Sequence, residues 1–418
     1  MTTTYDAVVV GLGALGALTL RELARRKVRA LGLDRHHPPH TLGSSHGRTR
    51  IIRAAYFEHP LYVPLVQEAW DQWKELGRET GTELFQRTGA LMVGNGKGSV
   101  IQGTLASARL HGIPHRVLSS RELRTEVPRL RVPQDHTAVY EEGAGVLFPE
   151  QAIEAALKSA RRHGAQIRGG QELRNWVADG EGVTLTTAHD VVRTRTLILA
   201  PGPWLQDALA LGGTPLCGLE VERQVSFWFD RPPLPPLRNG GPLRSRELIA
   251  QDPDDLPVVL WEFERGRYVY LIPDVGDGMK AALHHDGEKV HPDRVRREVE
   301  PEEEEAVRSL LNRLVPGVAG SRREASVCLY TNTADGHFLA GRHPVFPRVL
   351  LLGGGSGHAF KFAPALATRM VDIMAGVPVR FTGTNAEAGG ADPFSPARLG
   401  LGPPLDSDHP RGGDHDPA

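Results

Sequence analysis

The sequence predicts an α/β fold made of two domains that alternate along the chain. Residues 6–34 form a short apolar strand, a glycine-rich turn and a helix, in that order. Two later segments, 192–204 and 349–357, again run from an apolar strand into a turn that contains glycine. The segments between them have strand-like patterns of a different kind. Because 418 residues exceed the usual size of one hydrophobic core, two domains are expected.

The glycines of the first segment predict a dinucleotide site. Gly11, Gly13 and Gly16 follow the first strand with the spacing GxGxxG. Gly11 permits the tight turn, Gly13 lets a pyrophosphate approach the backbone, and Gly16 lets the helix pack on the strand. Asp34 ends the second strand about twenty residues later, where its carboxylate can accept the hydroxyls of the adenosine ribose. Since Asp34 would repel a 2′-phosphate, FAD or NAD is favoured over NADP.

The composition argues against several classes of partner. A formal net charge of −1 offers no general attraction for nucleic acid or an anionic membrane, and neither is expected as a partner. No apolar run approaches the roughly 18 residues of a membrane span, and no basic leader precedes the first strand. The two cysteines, Cys217 and Cys328, are too few for a disulfide framework. We therefore expect a cytoplasmic protein, with Cys217 in the hydrophobic core.

A loop over residues 35–56 follows the second strand. It is rich in Pro, Gly, Ser and His, and it collects Arg48, Arg50 and Arg53. A polar loop of this length beside a nucleotide site is typical of a functional segment.

Periodicity and turn residues predict the remaining elements. Helices are expected where apolar residues recur at helical spacing, and strands where apolar runs end at glycine or proline. In chain order these are a helix over 60–77, a strand over 90–94, a helix over 99–110, a short helix with a capping box at Ser119 and Glu122, a helix over 149–163, strands over 165–187, 192–200, 224–229, 257–263 and 267–272, a helix over 302–314, strands over 326–331 and 349–352, and a helix over 364–374. The proline cluster at 231–236 is expected to be loop and residues 384–418 a disordered tail, and no metal site is predicted.

Four separated stretches together resemble one family, the FAD-dependent amine oxidases typified by monomeric sarcosine oxidase and N-methyltryptophan oxidase. They are residues 6–34, the loop PPHTLGSSHGRTRIIRAAY, the stretch SVCLYTNTADGHF from Ser326, and GGGSGHAFKF from Gly353. The resemblance implies a discontinuous Rossmann-like FAD-binding domain with an interleaved α+β substrate domain built on an antiparallel-rich sheet. The implied boundaries are 1–88, 149–218 and 323–383 for the FAD-binding domain, 89–148 and 219–322 for the substrate domain, and 384–418 for the tail.

The resemblance also implies where the cofactor is held. In this family the flavin is attached covalently through a cysteine, and the matching residue is Cys328. A buried structural cysteine is the alternative, because free cysteine is among the most buried residue types. The other positions implied for FAD are Gly11, Gly13, Gly16, Asp34, Ser45, His46, Gly202, Gly355, Gly357 and Lys361.

The family oxidises a secondary amine next to a carboxylate and passes two electrons through the flavin to O₂, giving an imine and hydrogen peroxide. A small amino-acid amine, O₂ and a monomeric chain are therefore expected. The matching residues for the substrate carboxylate are Arg53 and Lys361, because a guanidinium offers a planar two-point grip. By the same resemblance, Tyr270 and Tyr330 line the substrate cavity.

The stretch GMKAALHH resembles the family's segment with an oxygen-activating lysine and a nearby histidine. It points to Lys280 and His284, with Arg50 as the next candidate cation. A fixed ammonium there would stabilise the negative charge that builds on oxygen. The stretch departs from the family by being one residue shorter before Lys280, and His285 makes the choice of histidine ambiguous.

Other interpretations remain open. Oxidation or dehydrogenation of glycine, a D-amino acid, pipecolate or a fructosyl amino acid would use the same motifs. A nicotinamide-dependent dehydrogenase would also begin with GxGxxG and an acid, but it leaves the stretches at Cys328 and Gly353 unexplained. An FAD protein that acts on nucleic acid is disfavoured, because the chain lacks a basic, aromatic-laced extension.

Overall fold

The computed structural model describes residues 4–231, 256–379 and 392–400. Within these residues the helices are α1 (Ala14–Arg25), α2 (Val63–Thr80), α3 (Ser99–His111), α4 (Ser120–Glu126), α5 (Pro149–Arg162), α6 (Leu205–Ala210), α7 (Pro301–Leu314) and α8 (Ala363–Met374). The strands are β1 (Thr4–Val10), β2 (Ala30–Leu33), β3 (Arg50–Ile52), β4 (Phe85–Arg87), β5 (Ala90–Asn95), β6 (Arg116–Ser119), β7 (His136–Glu141), β8 (Gly145–Leu147), β9 (Gln166–Arg168), β10 (Leu173–Ala178), β11 (Val183–Thr187), β12 (Val191–Leu199), β13 (Leu219–Phe229), β14 (Val258–Glu264), β15 (Arg267–Ile272), β16 (Met279–His284), β17 (Arg322–Thr333), β18 (Leu339–Arg342) and β19 (Val349–Gly353).

The first sheet carries the glycine-rich turn. Its main path runs β10, β11, β12, β1, β2 and β9, with β19 beside β12 and β18 beside β19. Strand β1 is parallel to β2 and β12, and β12 is parallel to β19, so these strands end at one common edge. In open α/β sheets, ligands bind outside this carboxyl edge. The predicted return of residues 192–200 to the nucleotide-binding sheet is confirmed.

Helices cover this sheet because their apolar faces are buried against it. Residues of α1, α2, α5 and α8 share one core with Ala7 and Val9 of β1. Gly16 makes the contact of α1 possible, because a Cβ there would lie 1.8 Å from the carbonyl oxygen of Gly11. Helix α1 therefore packs closely against the end of β1, as the glycine spacing predicts.

The second sheet is mostly antiparallel, as expected. Its order is β17, β13, β16, β15, β14, β5, β7 and β6, and β14 with β5 is its parallel pair. Side chains alternate between the two faces of a strand. One face packs Phe227, Phe229 and Trp261 against apolar residues of α4 and α7, such as Leu123 and Leu311. The other face packs apolar residues of β5, β7 and β14 against α3, and it carries polar groups on β13, β16 and β17. A small third sheet joins β3, β8 and β4.

The pairing of β17 corrects one domain boundary. The sequence analysis assigns residues 323–383 to the FAD-binding domain, whereas β17 pairs along its length with β13 in the second sheet. The chain enters the first sheet again only at β18. Periodicity identifies a strand but not its partner, which depends on contacts distant in sequence.

Two further expectations are wrong. Cys217 is exposed and not in the core. Residues 392–400 are expected to belong to a disordered tail. They are instead anchored by Phe394, which is buried and stacks on Phe338. The backbone N–H of Ala340 also donates to the carbonyl of Phe394 at 2.9 Å. Burial of an aromatic ring removes apolar area from water, which opposes the entropic cost of ordering the segment.

Other expectations are confirmed or lie outside the described residues. Ser119 and Glu122 form the predicted capping box at the start of α4. The proline cluster, apart from Arg231, and residues 384–391 and 401–418 lie outside the described part of the chain. Among the described helices, none combines the length and the apolar character that crossing a bilayer requires.

Candidate active site

The carboxyl edge of the first sheet opens into a cavity of about 770 Å³. Its lining includes Gly11, Gly13, Asp34, Ser45 and Gly202. That volume is within the range of about 300–1,000 Å³ that is usual for ligand cavities.

The glycine-rich turn brings backbone close to this cavity. Gly11 has a φ of 89°, and a Cβ there would lie 2.5 Å from the carbonyl oxygen of Ala200. Helix α1 begins after Gly13 with no side-chain cap. One of its first N–H groups, that of Ala14, donates to Ser45 Oγ at 3.2 Å. The open helix N-terminus and the Ser45 hydroxyl together suit a phosphate group.

Asp34 is fixed at the end of β2. Its carboxylate accepts hydrogen bonds from the backbone N–H of Leu12 and of His36, each at 2.7 Å. Burial alone would raise the pKa of Asp34, but His40 and these N–H groups lower it overall. The residue is therefore an ionised acceptor at the position predicted for the adenosine ribose.

Polar side chains from separate loops and short helices line one part of this cavity. Asp293 accepts hydrogen bonds from Arg35 at 2.8 Å and from the indole of Trp204 at 2.7 Å. Asp207 and His291 lie close enough to Asp293 to share an ion. The two acids of this group already have cationic or N–H partners. The group is therefore a polar contact between segments of the chain.

The polar face of the second sheet forms the other side of the site. In the strand register Lys280 is opposite Trp228, and Tyr330 is opposite Glu222. Cys328 precedes Tyr330 by two residues. Because opposed residues and residues two apart share a face, the sheet presents these side chains to the first sheet.

A smaller cavity of about 90 Å³ lies on this face. Its lining includes His46, Arg53, Tyr270, Ser226, Lys280, His284, Cys328 and Lys361. It shares Arg50, Tyr330, Gly357, His358 and Phe360 with the larger cavity. The two cavities therefore meet, and a bound dinucleotide could reach from one into the other.

Lys280 lies at the base of the small cavity. Its Nζ donates to the carbonyl oxygens of Gly47 at 2.8 Å and Thr49 at 3.3 Å, and it lies 4.9 Å from the ring centroid of Trp228. Burial, and then the nearby Arg50, lower the pKa of Lys280 well below its ordinary value. The ammonium is held in one place by two carbonyl dipoles and a ring face, and it forms no ion pair with a carboxylate among the residues that the structure describes.

Cys328 is buried in the lining of the small cavity, beside Arg50, which lines both cavities. Its Sγ lies 3.6 Å from Nη2 of Arg50 and 3.5 Å from the carbonyl oxygen of Ser44. The same Nη2 of Arg50 donates to the Ser44 carbonyl at 2.9 Å. Cys328 and Arg50 therefore both contact the carbonyl oxygen of Ser44. These contacts link the loop over residues 35–56 to the second sheet.

Two buried cations face the small cavity from the other side. Arg53 donates through Nη2 to both oxygens of Glu58, at 2.9 and 2.7 Å, and through Nη1 to the carbonyl of Ala55. Lys361 donates to the carbonyl of His358 at 3.1 Å and lies 3.4 Å from the hydroxyl of Tyr56. Burial, and then Arg53, lower the pKa of Lys361 to about 7. Glu58 is therefore the counterion of Arg53, and Lys361 is a second basic side chain beside it.

The two histidines of the stretch GMKAALHH differ in their hydrogen bonds. Nδ1 of His284 lies 3.0 Å from the hydroxyl of Tyr330, inside the cavity lining. His285 instead contacts Glu222. Tyr270 lies on the same face, with its hydroxyl 3.0 Å from that of Ser226. Gly357 is needed here, because a Cβ would approach the Tyr330 ring to 2.6 Å.

Several residues of the site were missed by sequence reasoning. Tyr56 is the last residue of the arginine-rich loop, Glu58 follows that loop, and His358 lies inside the second glycine-rich stretch. Nδ1 of His358 lies 2.6 Å from the Tyr56 hydroxyl, which joins these two segments. Trp228 was assigned only to a strand. The position of Glu58, five residues after Arg53, is the one local signal that could have found it.

A Rossmann-like sheet with a dinucleotide cavity that opens onto a small cationic cavity defines a two-domain oxidoreductase. Residues 6–373 match the family described as FAD-dependent oxidoreductase. The chain is 35% identical over 407 residues to monomeric sarcosine oxidase of Streptomyces avermitilis, covering 96% of this chain and 100% of that one. It is 28% identical over 375 residues to N-methyl-L-tryptophan oxidase of Salmonella heidelberg, covering 89% and 95%.

A solved structure of another protein has the same fold. A solved structure of NikD, described as an unusual amino acid oxidase essential for nikkomycin biosynthesis, superposes with a TM-score of 0.76 at 21% identity, covering 94% of this chain and 98% of that chain. The protein belongs to the FAD-dependent oxidoreductase family.

The residues present fit FAD. Buried polar atoms without a partner among the described residues include Nε2 of His46 and Oγ1 of Thr49 and Thr331. His46 and Thr49 line the small cavity, and Thr331 lines the larger one. Burial, and then Arg50 and Lys280, lower the pKa of His46 to about 3, so this imidazole is neutral. Buried polar groups normally have partners, and a bound flavin nucleotide would supply them.

Proposed function

We propose that this protein is a flavin-dependent oxidase of a secondary-amine amino acid, such as sarcosine, N-methyltryptophan or a similar N-methyl amino acid. The observation that carries the proposal is the pair of buried cations, Arg53 and Lys361, in a small cavity that meets the nucleotide cavity. FAD, when bound, accepts two electrons from the C–N unit and passes them to O₂, which gives an imine and hydrogen peroxide.

Arg53 and Lys361 are the proposed ligands of the substrate carboxylate. Both donors are buried, where a charge-assisted hydrogen bond is stronger than in water. The Nη atoms of Arg53 already contact Glu58 and Ala55. We therefore propose that the substrate carboxylate takes the place of the Glu58 carboxylate, so that the cavity exchanges one anion for another.

The amine end of the substrate is proposed to face Tyr330, Tyr270 and His284. Their hydroxyl and imidazole groups lie on one sheet face beside the shared wall of the two cavities. Burial lowers the pKa of His284 well below its ordinary value, so a neutral imidazole would meet the amine. Lys280, and next Arg50, are the proposed cations for the reduction of O₂.

Covalent attachment of FAD through Cys328 is part of the proposal. Its support is the burial of Cys328 in the lining of the small cavity, beside Arg50 and two residues before Tyr330, both of which line the two cavities. The positions proposed for the rest of FAD are the turn glycines, Asp34, Ser45, His46, Gly202, Gly355 and Gly357. That the chain is monomeric and that it is cytoplasmic also remain predictions. Gel filtration tests whether the chain is monomeric.

A peroxide-coupled screen of N-methyl and cyclic amino acids tests the function. We expect hydrogen peroxide with at least one N-methyl amino acid, and no turnover of the matching amine without a carboxylate. Anaerobic addition of the same compound should bleach the flavin absorbance. Turnover of glycine or a D-amino acid in preference to N-methyl compounds would show that the proposed substrate class is wrong. Bleaching of the flavin without peroxide would indicate a dehydrogenase.

A further inference from the structure

A buried carboxylate beside the small cavity has no part in the reaction described above. Glu222 is 8% exposed. It accepts hydrogen bonds from Asn332 and Gln224, each at 2.6 Å, and from the N–H of Gly287 at 3.0 Å. Its remaining partner is Nδ1 of His285, at 3.2 Å. Burial alone would raise the pKa of Glu222, but the hydrogen bonds of His285 and the other donors lower it, so the group is an anion.

His285 is exposed, and its backbone conformation brings its ring beside His284 and Tyr330. Its φ of 58° lies in the left-handed region of backbone conformations, which residues with a Cβ rarely adopt. Adjacent residues of a regular strand point to opposite faces. Here the ring centroids of His284 and His285 are 4.3 Å apart, and those of His285 and Tyr330 are 5.2 Å apart. The ring of His285 therefore contacts both members of the His284–Tyr330 hydrogen bond, while Glu222 holds it from the other side.

The groups around His284 oppose a positive charge on it. Burial is the main cause of its lowered pKa, and His285 is the next. The other titratable or charged groups that face His284 are His358, Lys361 and Arg53 from the segments over the cavity, Tyr330 from β17, and Tyr268 and Tyr270 from β15. A neutral His284 can accept a proton or a hydrogen bond from a substrate amine, whereas a protonated one would repel its ammonium form.

We propose that Glu222 and His285 form a positioning pair, in which Glu222 holds the His285 ring against His284 and Tyr330 and so keeps His284 neutral and correctly oriented in the substrate cavity. This rests on the proposed function, since it places the pair behind the amine end of the substrate. Glu222 and His285 act through their neighbours and do not touch the substrate.

The first test uses His285→Asn. Asparagine tolerates the left-handed conformation and can still donate to Glu222, but it removes the imidazole ring. In protein with ¹³C-labelled histidine, His284 of the wild type should titrate well below the ordinary histidine midpoint of about 6.5. In the variant its midpoint should rise by at least about one pH unit, because the electrostatic influence of His285 that lowers the pKa of His284 has been removed. Glu220→Gln, a change of an exposed acid two residues from Glu222, is the matched control.

A His284 signal that is identical in the wild type and in His285→Asn would overturn the proposal. The same holds if His284 of the wild type titrates with the ordinary histidine midpoint. This measurement needs no substrate, so it decides the role of the pair even if the proposed function fails.

The second test uses glycine betaine, which has a carboxylate and a fixed positive charge that cannot lose a proton. Its affinity is followed through the flavin spectrum at pH 6 and pH 8. Relative to the wild type, His285→Asn should lose at least about threefold in affinity at pH 6 and little at pH 8, because a protonated His284 repels the ligand. The effects of His285→Asn and Glu222→Gln should be non-additive, as for two groups that act together. Additive effects would show that the two residues act separately, and absence of betaine binding to the wild type at either pH would count against the proposed function.

Discussion

Replacing Lys280 with methionine should separate the two half-reactions of the proposed oxidase. The substitution keeps most of the side-chain length and deletes the charge. Both carbonyl oxygens that Lys280 contacts keep another donor, since Thr49 N–H donates to Gly47 and Arg50 donates to Thr49. We therefore expect the variant to fold and to bind FAD.

The magnitude follows from the surroundings of the ammonium. Transfer of electrons from the substrate to the flavin builds no charge on oxygen, whereas reduction of O₂ does. Lys280 is buried and held by two carbonyls and the Trp228 ring, so it needs little reorganisation when that charge appears. Single preorganised groups of this kind contribute about 2.7–4 kcal/mol, or roughly a hundredfold to a thousandfold in rate. Reoxidation should fall by that factor, while anaerobic reduction should stay within about tenfold.

Rapid-mixing absorbance at the flavin band measures the two half-reactions separately. Lys289→Met is the matched control, because Lys289 is exposed and pairs with Glu220 on the surface. Because the pKa of Lys280 is lowered, its charge is lost as pH rises through a value below the ordinary lysine value of about 10.4. Reoxidation of the wild type should therefore slow with rising pH, and that of Lys280→Met should not.

Equal slowing of both half-reactions would refute the assignment and place Lys280 in substrate binding. Unchanged reoxidation would refute it in another way and would make Arg50 the next cation to test. A variant that lost FAD would be compared with Lys280→Arg, which keeps the charge.

Four further predictions concern the cofactor and the carboxylate. The protein should stay yellow after acid precipitation, and Cys328→Ser should release the colour; flavin that washes out of the unmodified protein would disprove the linkage. Arg53→Ala or Lys361→Ala should each weaken amino-acid turnover by about tenfold or more, from roughly 1.5–3 kcal/mol per charged hydrogen bond, with the flavin spectrum largely intact; equal oxidation of amines without a carboxylate by the unmodified enzyme would count against this. Glu58→Gln should tighten acetate binding by roughly tenfold, about 1.4 kcal/mol, because the competing carboxylate loses its charge, and weaker binding would contradict the exchange. Since the pKa of Lys361 is about 7, Lys361 is charged below that pH and neutral above it, so acetate should bind less well as pH rises from 6 to 8, and Lys361→Met should remove this dependence.

Local patterns in the sequence determined the nucleotide turn and much of the site's chemistry. The glycine spacing of residues 11–16 requires close packing of strand and helix, which is a local steric property. The two-residue spacing of Cys328 and Tyr330 places both on one face of a strand, whatever that strand pairs with. The family resemblance added their roles.

Tertiary structure decided which strands meet and which side chains share the small cavity. Strand β17 pairs with β13, and this pairing depends on segments about a hundred residues apart, which periodicity cannot detect. The same contacts bring Glu58 to Arg53 and His358 to Tyr56. The position of His285 was also beyond the sequence pattern, because alternation predicts the opposite face and only the left-handed backbone brings its ring beside His284. Alternation and spacing describe neighbours along the chain, whereas the charges of this site are set by burial and by groups that folding brings together.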